Sequence, residues 1–385
     1  MEYPLTAARR GAVLDLLETV SGERPTIASE EPLGHQWAPV TRLTFQRELP
    51  GVGLTVVIKT RRVDGDGYGG PAYFRREQSG LATAGESRVT PRLITADDVV
   101  GVAITGDLGN WPTLEDILRG ADADAATAAM IGLGRAVGRL HASTLDRATC
   151  HGAALNALGS AVTREDRLGR WPGVDRWRDV ESASVEFGFP DAHVAAGDIA
   201  FIIERLLEPS PFAALIHLDL NPTNVLVTAD GVRLVDFEQS TFGHIGIDAA
   251  ALHYPFPNYS PHWAVLPEEV TGEADRVHRL ELAAVLPSDV LAGYDEMLAI
   301  GAAAALSIRV QRLAKLTEPG QTAHDRWRRR AQLVQQIRVF EQLASRANCL
   351  PALTGWFTRL ADAMTERWVD AASPPPPLFP AFQAR

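Results

Sequence analysis

The chain has 385 residues, and 37 lysines and arginines against 48 aspartates and glutamates leave a formal charge of −11. That balance argues against broad nucleic-acid binding, which needs a basic face to displace counterions. The two cysteines, Cys150 and Cys349, supply neither a disulfide framework nor a cysteine-based zinc site, so the fold rests on its apolar core.

Leu14, Leu16, Leu17 and Val20 lie among acids and read as an amphipathic helix rather than an export signal. Val40–Glu48 and Leu54–Thr60 are rich in β-branched residues and join through Pro50-Gly51-Val52-Gly53, which predicts a hairpin. Pro71–Ala84 reads as a helix, with Phe74, Gln78 and Leu81 along one face and proline near its first turn. Pro91–Thr95 and Val99–Thr105 form a second expected hairpin, and together these pieces make a small α+β unit. From Asp107 onward the pattern turns helical. Ala125–Leu140 has helical spacing, with Asp122 or Asp124 as its cap. Residues 145–190 are irregular, Asp191–Leu207 is helical again, and Leu215–Asp236 reads as strand, loop and strand.

Long helices are expected to the C-terminus. Leu333, Ile337 and Phe340 form one stripe, and Trp356, Leu360, Met364 and Trp368 form another; both read as core. The apolar stretch Met297–Leu306 is too short to span a bilayer. A reducing, cytoplasmic setting without a membrane partner is therefore expected. Arg326–Arg330 reads as a solvated face, and His244, His253 and His262 as exposed loop residues rather than metal ligands. Ser373–Pro377 begins an extended tail.

Chemistry concentrates in His217-Leu218-Asp219-Leu220-Asn221-Pro222-Thr223-Asn224, with Asp236 twelve residues after Asn224. Phosphoryl transfer needs this set: one carboxylate to orient a hydroxyl and take its proton, and an amide oxygen with a second carboxylate to hold metal on the phosphates. These residues resemble the catalytic and metal loops of the kinase-like fold, within the aminoglycoside phosphotransferase and choline kinase group. By that resemblance Asp219 is the base, Asn224 and Asp236 are Mg²⁺ ligands, His217 buttresses the loop and Asp248 is a structural aspartate. Leu218 departs from the glycine or asparagine common in the group. Asp236-Phe237-Glu238 resembles the small-molecule branch rather than protein kinases.

Of the 37 basic residues only Lys59 and Lys315 are lysine, a bias consistent with GC-rich coding. Lys59 ends the apolar run Val56-Val57-Ile58, where a compact ammonium can reach between phosphate oxygens. Glu77 on the following helix is its expected partner, with Glu86 in reserve. By the same resemblance, backbone groups of Ile104, Thr105 and Gly106 meet the adenine of ATP. Leu33-Gly34-His35-Gln36-Trp37, with one glycine, stands in place of a glycine-rich phosphate loop.

The resemblance spans residues 30–255 and implies an α+β, two-lobed protein-kinase-like fold. Residues 1–105 would form a β-rich nucleotide lobe, 106–373 a mainly helical lobe, and 374–385 the proline-rich tail. The implied activity is ATP- and Mg²⁺-dependent transfer of the γ-phosphoryl group to a small-molecule hydroxyl. An aminoglycoside or another amine-bearing compound is a candidate acceptor, with Glu268, Glu269, Glu273 and Asp275 as acids that could meet the amine. Two alternatives stay open: a non-catalytic nucleotide-binding relative, and a dinucleotide-dependent oxidoreductase using Gly65-x-Gly67-x-x-Gly70.

Overall fold

A computed structural model describes residues 5–33, 39–61, 70–85, 87–159, 177, 185–188, 192–208, 210–254, 264–310, 313–316 and 319–383. The stretches 34–38 and 62–69, Glu86, His262 and most of 160–191 lie outside the described residues. They hold most of the expected phosphate loop and nearly all of the glycine motif.

Helix α1 (Ala7–Ser21) is capped by Thr6, whose hydroxyl accepts the Arg9 N–H, and it buries Val13 and Leu17. Strands β1 (Ile27–Pro32), β2 (Val40–Leu49), β3 (Gly53–Thr60), β4 (Leu93–Asp97) and β5 (Val102–Gly106) pair antiparallel in the order β1-β2-β3-β5-β4. Both expected hairpins form, β2–β3 around Pro50–Val52 and β4–β5 around Asp98–Gly101. Alternation along β2, β3 and β5 sends Leu43, Phe45, Val56, Ile58, Val102 and Ile104 into a core shared with α1. Helix α2 spans Pro71–Ala84, as the sequence predicts. An antiparallel sheet has no parallel βαβ unit, and this overturns the oxidoreductase alternative.

Beyond the sheet, α3 (Leu114–Arg119) starts at a reciprocal Thr113–Asp116 cap, and α4 (Ala123–Ala142) starts at Asp122. Helices α5 (Ala148–Ala157) and α6 (Ala196–Leu207) follow. Two small ribbons come next: β6 (Ala213–Ile216) pairs with β9 (Thr241–His244), enclosing the hairpin of β7 (Val225–Thr228) and β8 (Gly231–Leu234). Helices α7 (Gly246–Ala251), α8 (Glu268–Ala283), α9 (Tyr294–Val310), α10 (Ala323–Ala347) and α11 (Pro351–Arg367) complete the larger body. Both aromatic–aliphatic stripes are core, with Ile337, Phe340, Trp356, Leu360 and Met364 at most 2% exposed.

Several surface expectations are corrected. Arg330 turns inward, stacks 4.2 Å over the Trp368 ring and pairs with Asp370 at 2.8 Å, so the arginine run is not one solvated face. His244 is buried on β9, where burial pushes its pKa down to about 3, and His253 lies 3.5 Å from Asp275. The tail docks: the Val265 N–H donates to the Pro377 carbonyl and the Val265 carbonyl accepts the Phe379 N–H, burying Phe379 and Ala381 beside α3. Among the described residues no helix is long and apolar enough to cross a membrane.

Candidate active site

Lys59 sits at the end of β3, level with Val40 on one side and Ala103 on the other. Its Nζ lies 2.7 Å from Glu77 Oε2, 2.5 Å from Asp236 Oδ1 and 3.2 Å from Glu238 Oε2. Helix α2 brings Glu77 there because it packs tightly on the turn after Asp236. At Gly80 an added Cβ would stand 2.2 Å from Ser240 Oγ, and that hydroxyl donates to the Arg76 carbonyl at 3.3 Å. The expected lysine–glutamate pair is therefore present.

Glu238 is a site residue that sequence reasoning passed over. Phe237 turns into the core, so Asp236 and Glu238 face the same way two residues apart. The Asp-x-Glu spacing around an apolar residue was the available signal. Three carboxylates now share one ammonium. Burial opposes charge on Lys59, yet Glu77, Asp236 and Glu238 outweigh it and raise its pKa. Burial pushes Glu77 up to about 7 against the pull of Lys59, and Glu238 is raised for the same reason.

The expected catalytic loop follows β6. His217 is fully buried; its Nε2–H donates to the Val235 carbonyl at 2.9 Å, and its Nδ1 accepts the Asp219 N–H at 3.3 Å. That pair of bonds sets the tautomer and ties the loop to β8, as a buttress should. Asn224 closes a short turn, and its Nδ2 donates to the Asp219 carbonyl at 3.0 Å and toward Asp219 Oδ2 at 3.4 Å. Its Oδ1 is left as an acceptor for a cation. Asp219 itself is half-buried.

Two residues of this region adopt left-handed backbone, Leu218 at φ 64° and Asp236 at φ 68°. Side chains cost about 1–2 kcal/mol there, which explains why glycine or asparagine suits position 218. Asp248 on α7 holds the strained turn: its Oδ2 accepts the His217 N–H at 2.5 Å and its Oδ1 the Leu218 N–H at 2.9 Å.

Between sheet and loops lies a cavity of about 400 Å³. Val40, Val57 and Ala103 line it from the sheet, Leu226 and Val235 from the hairpin, and Lys59 with Asp236 at its polar end. Thr105 and Gly106 line this cleft; Ile104 does not. Its side chain points into the sheet core, and its backbone is taken by β3 and β4. The chain beyond the strand is tied by Arg42, which donates to Asp107 at 2.7 Å and to Asn110 at 2.7 Å. Nothing local signals that clamp, whose partners lie 65 and 68 residues apart. The acids near 268–275 do not line the cavity: Glu268 and Glu269 are exposed, Glu273 pairs with Arg276, and Asp275 is buried against Tyr294.

Residues 102–276 match the model of the phosphotransferase enzyme family. That match supports a small-molecule phosphotransferase with a hydroxyl acceptor. A choline kinase from Cryptosporidium parvum Iowa II shares its fold, with a TM-score of 0.51 at 13% identity over 91% of this chain and 99% of that one. A putative fructosamine-3-kinase from Thermobifida fusca YX-ER1 aligns at 16% identity and TM-score 0.45, covering 86% and 99% of the two chains. The APH(2")-IIa complex with streptomycin and ATP aligns at 11% identity and TM-score 0.46, covering 88% and 97%. No curated protein sequence matches the chain.

Proposed function

We propose that this phosphotransferase moves the γ-phosphoryl group of ATP to the hydroxyl of a small, amine-bearing compound, using Mg²⁺. The observation that carries the reading is the single ammonium of Lys59 set among Glu77, Asp236 and Glu238 at the polar end of an apolar cleft. The purine fits the apolar walls, and Lys59, aimed by Glu77, is placed to bind phosphate oxygens. Hard oxygen donors suit magnesium: Asp236 with the Asn224 Oδ1, and Glu238 close enough to contribute, since Glu77, Asp236 and Glu238 oxygens lie within 4.8 Å of one another. When bound, the metal neutralises charge developing on the transferred group.

In this reading Asp219 accepts a hydrogen bond from the acceptor hydroxyl, aims its oxygen and takes its proton late. A loose transition state asks little of the base beyond position. His217 and Asp248 keep the loop rigid so that Asp219 stays aimed. The amine is supported by the choline kinase that shares the architecture, and the −11 charge is compatible with a cationic substrate. A cytoplasmic setting, where ATP is abundant, agrees with the absence of a disulfide framework.

The test uses choline, ethanolamine, streptomycin and gentamicin with ATP and Mg²⁺, read by product mass. One or more should gain a phosphate. Asp219→Asn should lower turnover by about 10²-fold or more while ATP·Mg²⁺ still raises the thermal midpoint. Unchanged turnover would remove Asp219 from the role of base.

A further inference from the structure

Behind the catalytic loop runs a buried polar chain that phosphoryl transfer itself does not use. Asp248 Oδ2 lies 3.5 Å from His141 Nε2 on α4, and His141 Nδ1 lies 3.0 Å from His278 Nε2 on α8. His278 Nδ1 is 2.7 Å from the Tyr294 hydroxyl at the start of α9, and that hydroxyl is 2.6 Å from Asp275 Oδ1. Every member is at most 6% exposed.

Hydrogen counting constrains this chain. Its four contacts need four hydrogens. Neutral Tyr294, His278 and His141 bring one each along the chain, three in all, and two carboxylates bring none. If the Tyr294 hydroxyl donates to Asp275, then His278 Nδ1–H must donate to Tyr294, and His278 Nε2 must accept from His141 Nδ1–H. A neutral His141 would then turn a lone pair toward the Asp248 carboxylate. Reversing all the donors only moves the defect to the contact between Tyr294 and Asp275. The neighbouring groups favour charge-separated ends. Burial alone would raise the Asp275 carboxyl, but His253, Tyr294 and Arg346 outweigh it and bring it down to about 2. Burial pushes His278 down to about 3, and burial with Asp275 raises Tyr294, so both stay neutral. Facing these groups are His253 and Arg346 at Asp275, Arg279 over the Tyr294 ring at 5.0 Å, and His244 near His141.

We propose that the chain Asp248–His141–His278–Tyr294–Asp275 binds one proton beyond those of its neutral side chains, and that His141 carries it as an imidazolium. Its Nε2–H then donates to Asp248, which in turn holds the His217 and Leu218 amides. His141, His278 and Tyr294 are thereby positioning residues for the loop bearing Asp219. The catalytic consequence rests on the phosphotransfer reading; the proton itself does not.

Two measurements separate them. In ¹⁵N-histidine-labelled protein at neutral pH, His141 should show both nitrogens protonated and His278 a neutral Nδ1–H ring, with His141 assigned by loss of its signal in His141→Gln. Tyr294→Phe frees His278 to donate from Nε2 instead, so all remaining contacts close without the extra proton and His141 should revert to a neutral ring. A neutral His141 in the parent protein, or an imidazolium that persists unchanged in Tyr294→Phe, overturns the proposal. For positioning, His141→Ala should lower kcat for ATP hydrolysis at least tenfold with KM for ATP within twofold. Unchanged kcat, or a loss confined to KM, overturns that part. If His141→Ala does not fold, the Tyr294→Phe spectrum still decides the proton. Absence of ATP·Mg²⁺ binding to the parent protein, with the imidazolium present, sinks the phosphotransfer reading alone.

Discussion

Lys59 shows how a single residue can be argued from composition to chemistry. Under the arginine bias its survival already asked for a reason, and three carboxylates within 3.2 Å supply one. The crowding has a pH signature. Folded Glu77 holds its proton up to about 7, whereas the unfolded group releases it near 4.5. This group's contribution to stability is therefore complete below about pH 4.5 and is lost as pH rises through about 7. The thermal midpoint of the nucleotide-free protein should fall over that interval, and Glu77→Gln should flatten the fall. Parallel curves for the two proteins would refute the assignment. Leu218 carries the opposite lesson. As a letter it only departs from a pattern, while its φ of 64° shows what the pattern serves.

At the scale of elements, hydrophobic periodicity located α2, α4 and the C-terminal helices, because each must bury one stripe. Alternation located β2, β3 and β5 for the same reason. The approach of α7 to α9 is not visible in such patterns. An added Cβ on Gly301 would stand 2.0 Å from the Gly246 carbonyl, so the two backbones touch where α7 presents Asp248 to the catalytic loop. Gly301→Ala should cost about 1–3 kcal/mol by overpacking. It should lower the thermal midpoint and reduce kcat more than it changes KM for ATP. A variant with the parent's midpoint would show that the contact can relax.

For the whole molecule, the expected two-lobed form is realised as an antiparallel sheet over a helical body, with the cleft between. The proline run adds an unforeseen strap. Proline composition speaks for extended backbone, and the strand-like contact at Val265 agrees, but burial of Phe379 depends on a surface built from α3 and neighbouring helices. Deleting Leu378–Arg385 should destabilise the fold by about 1.5–3 kcal/mol, the worth of one buried aromatic, read by denaturant unfolding. An unchanged unfolding midpoint would mean the strap is dispensable.

The local arrangement was readable in the chain from the start: His217, Asp219, Asn224 and Asp236 at fixed spacing, and a lysine ending a strand, because residues close together on one loop or strand end stay close in space. Tertiary structure alone decided the rest. Glu238 joins Lys59 across 179 residues, Arg42 clamps Asp107 across 65, and Asp275 leaves the surface to end a buried chain with Tyr294. Which way a side chain faces, and what it meets, depends on packing between elements distant in sequence, and no local pattern encodes that meeting.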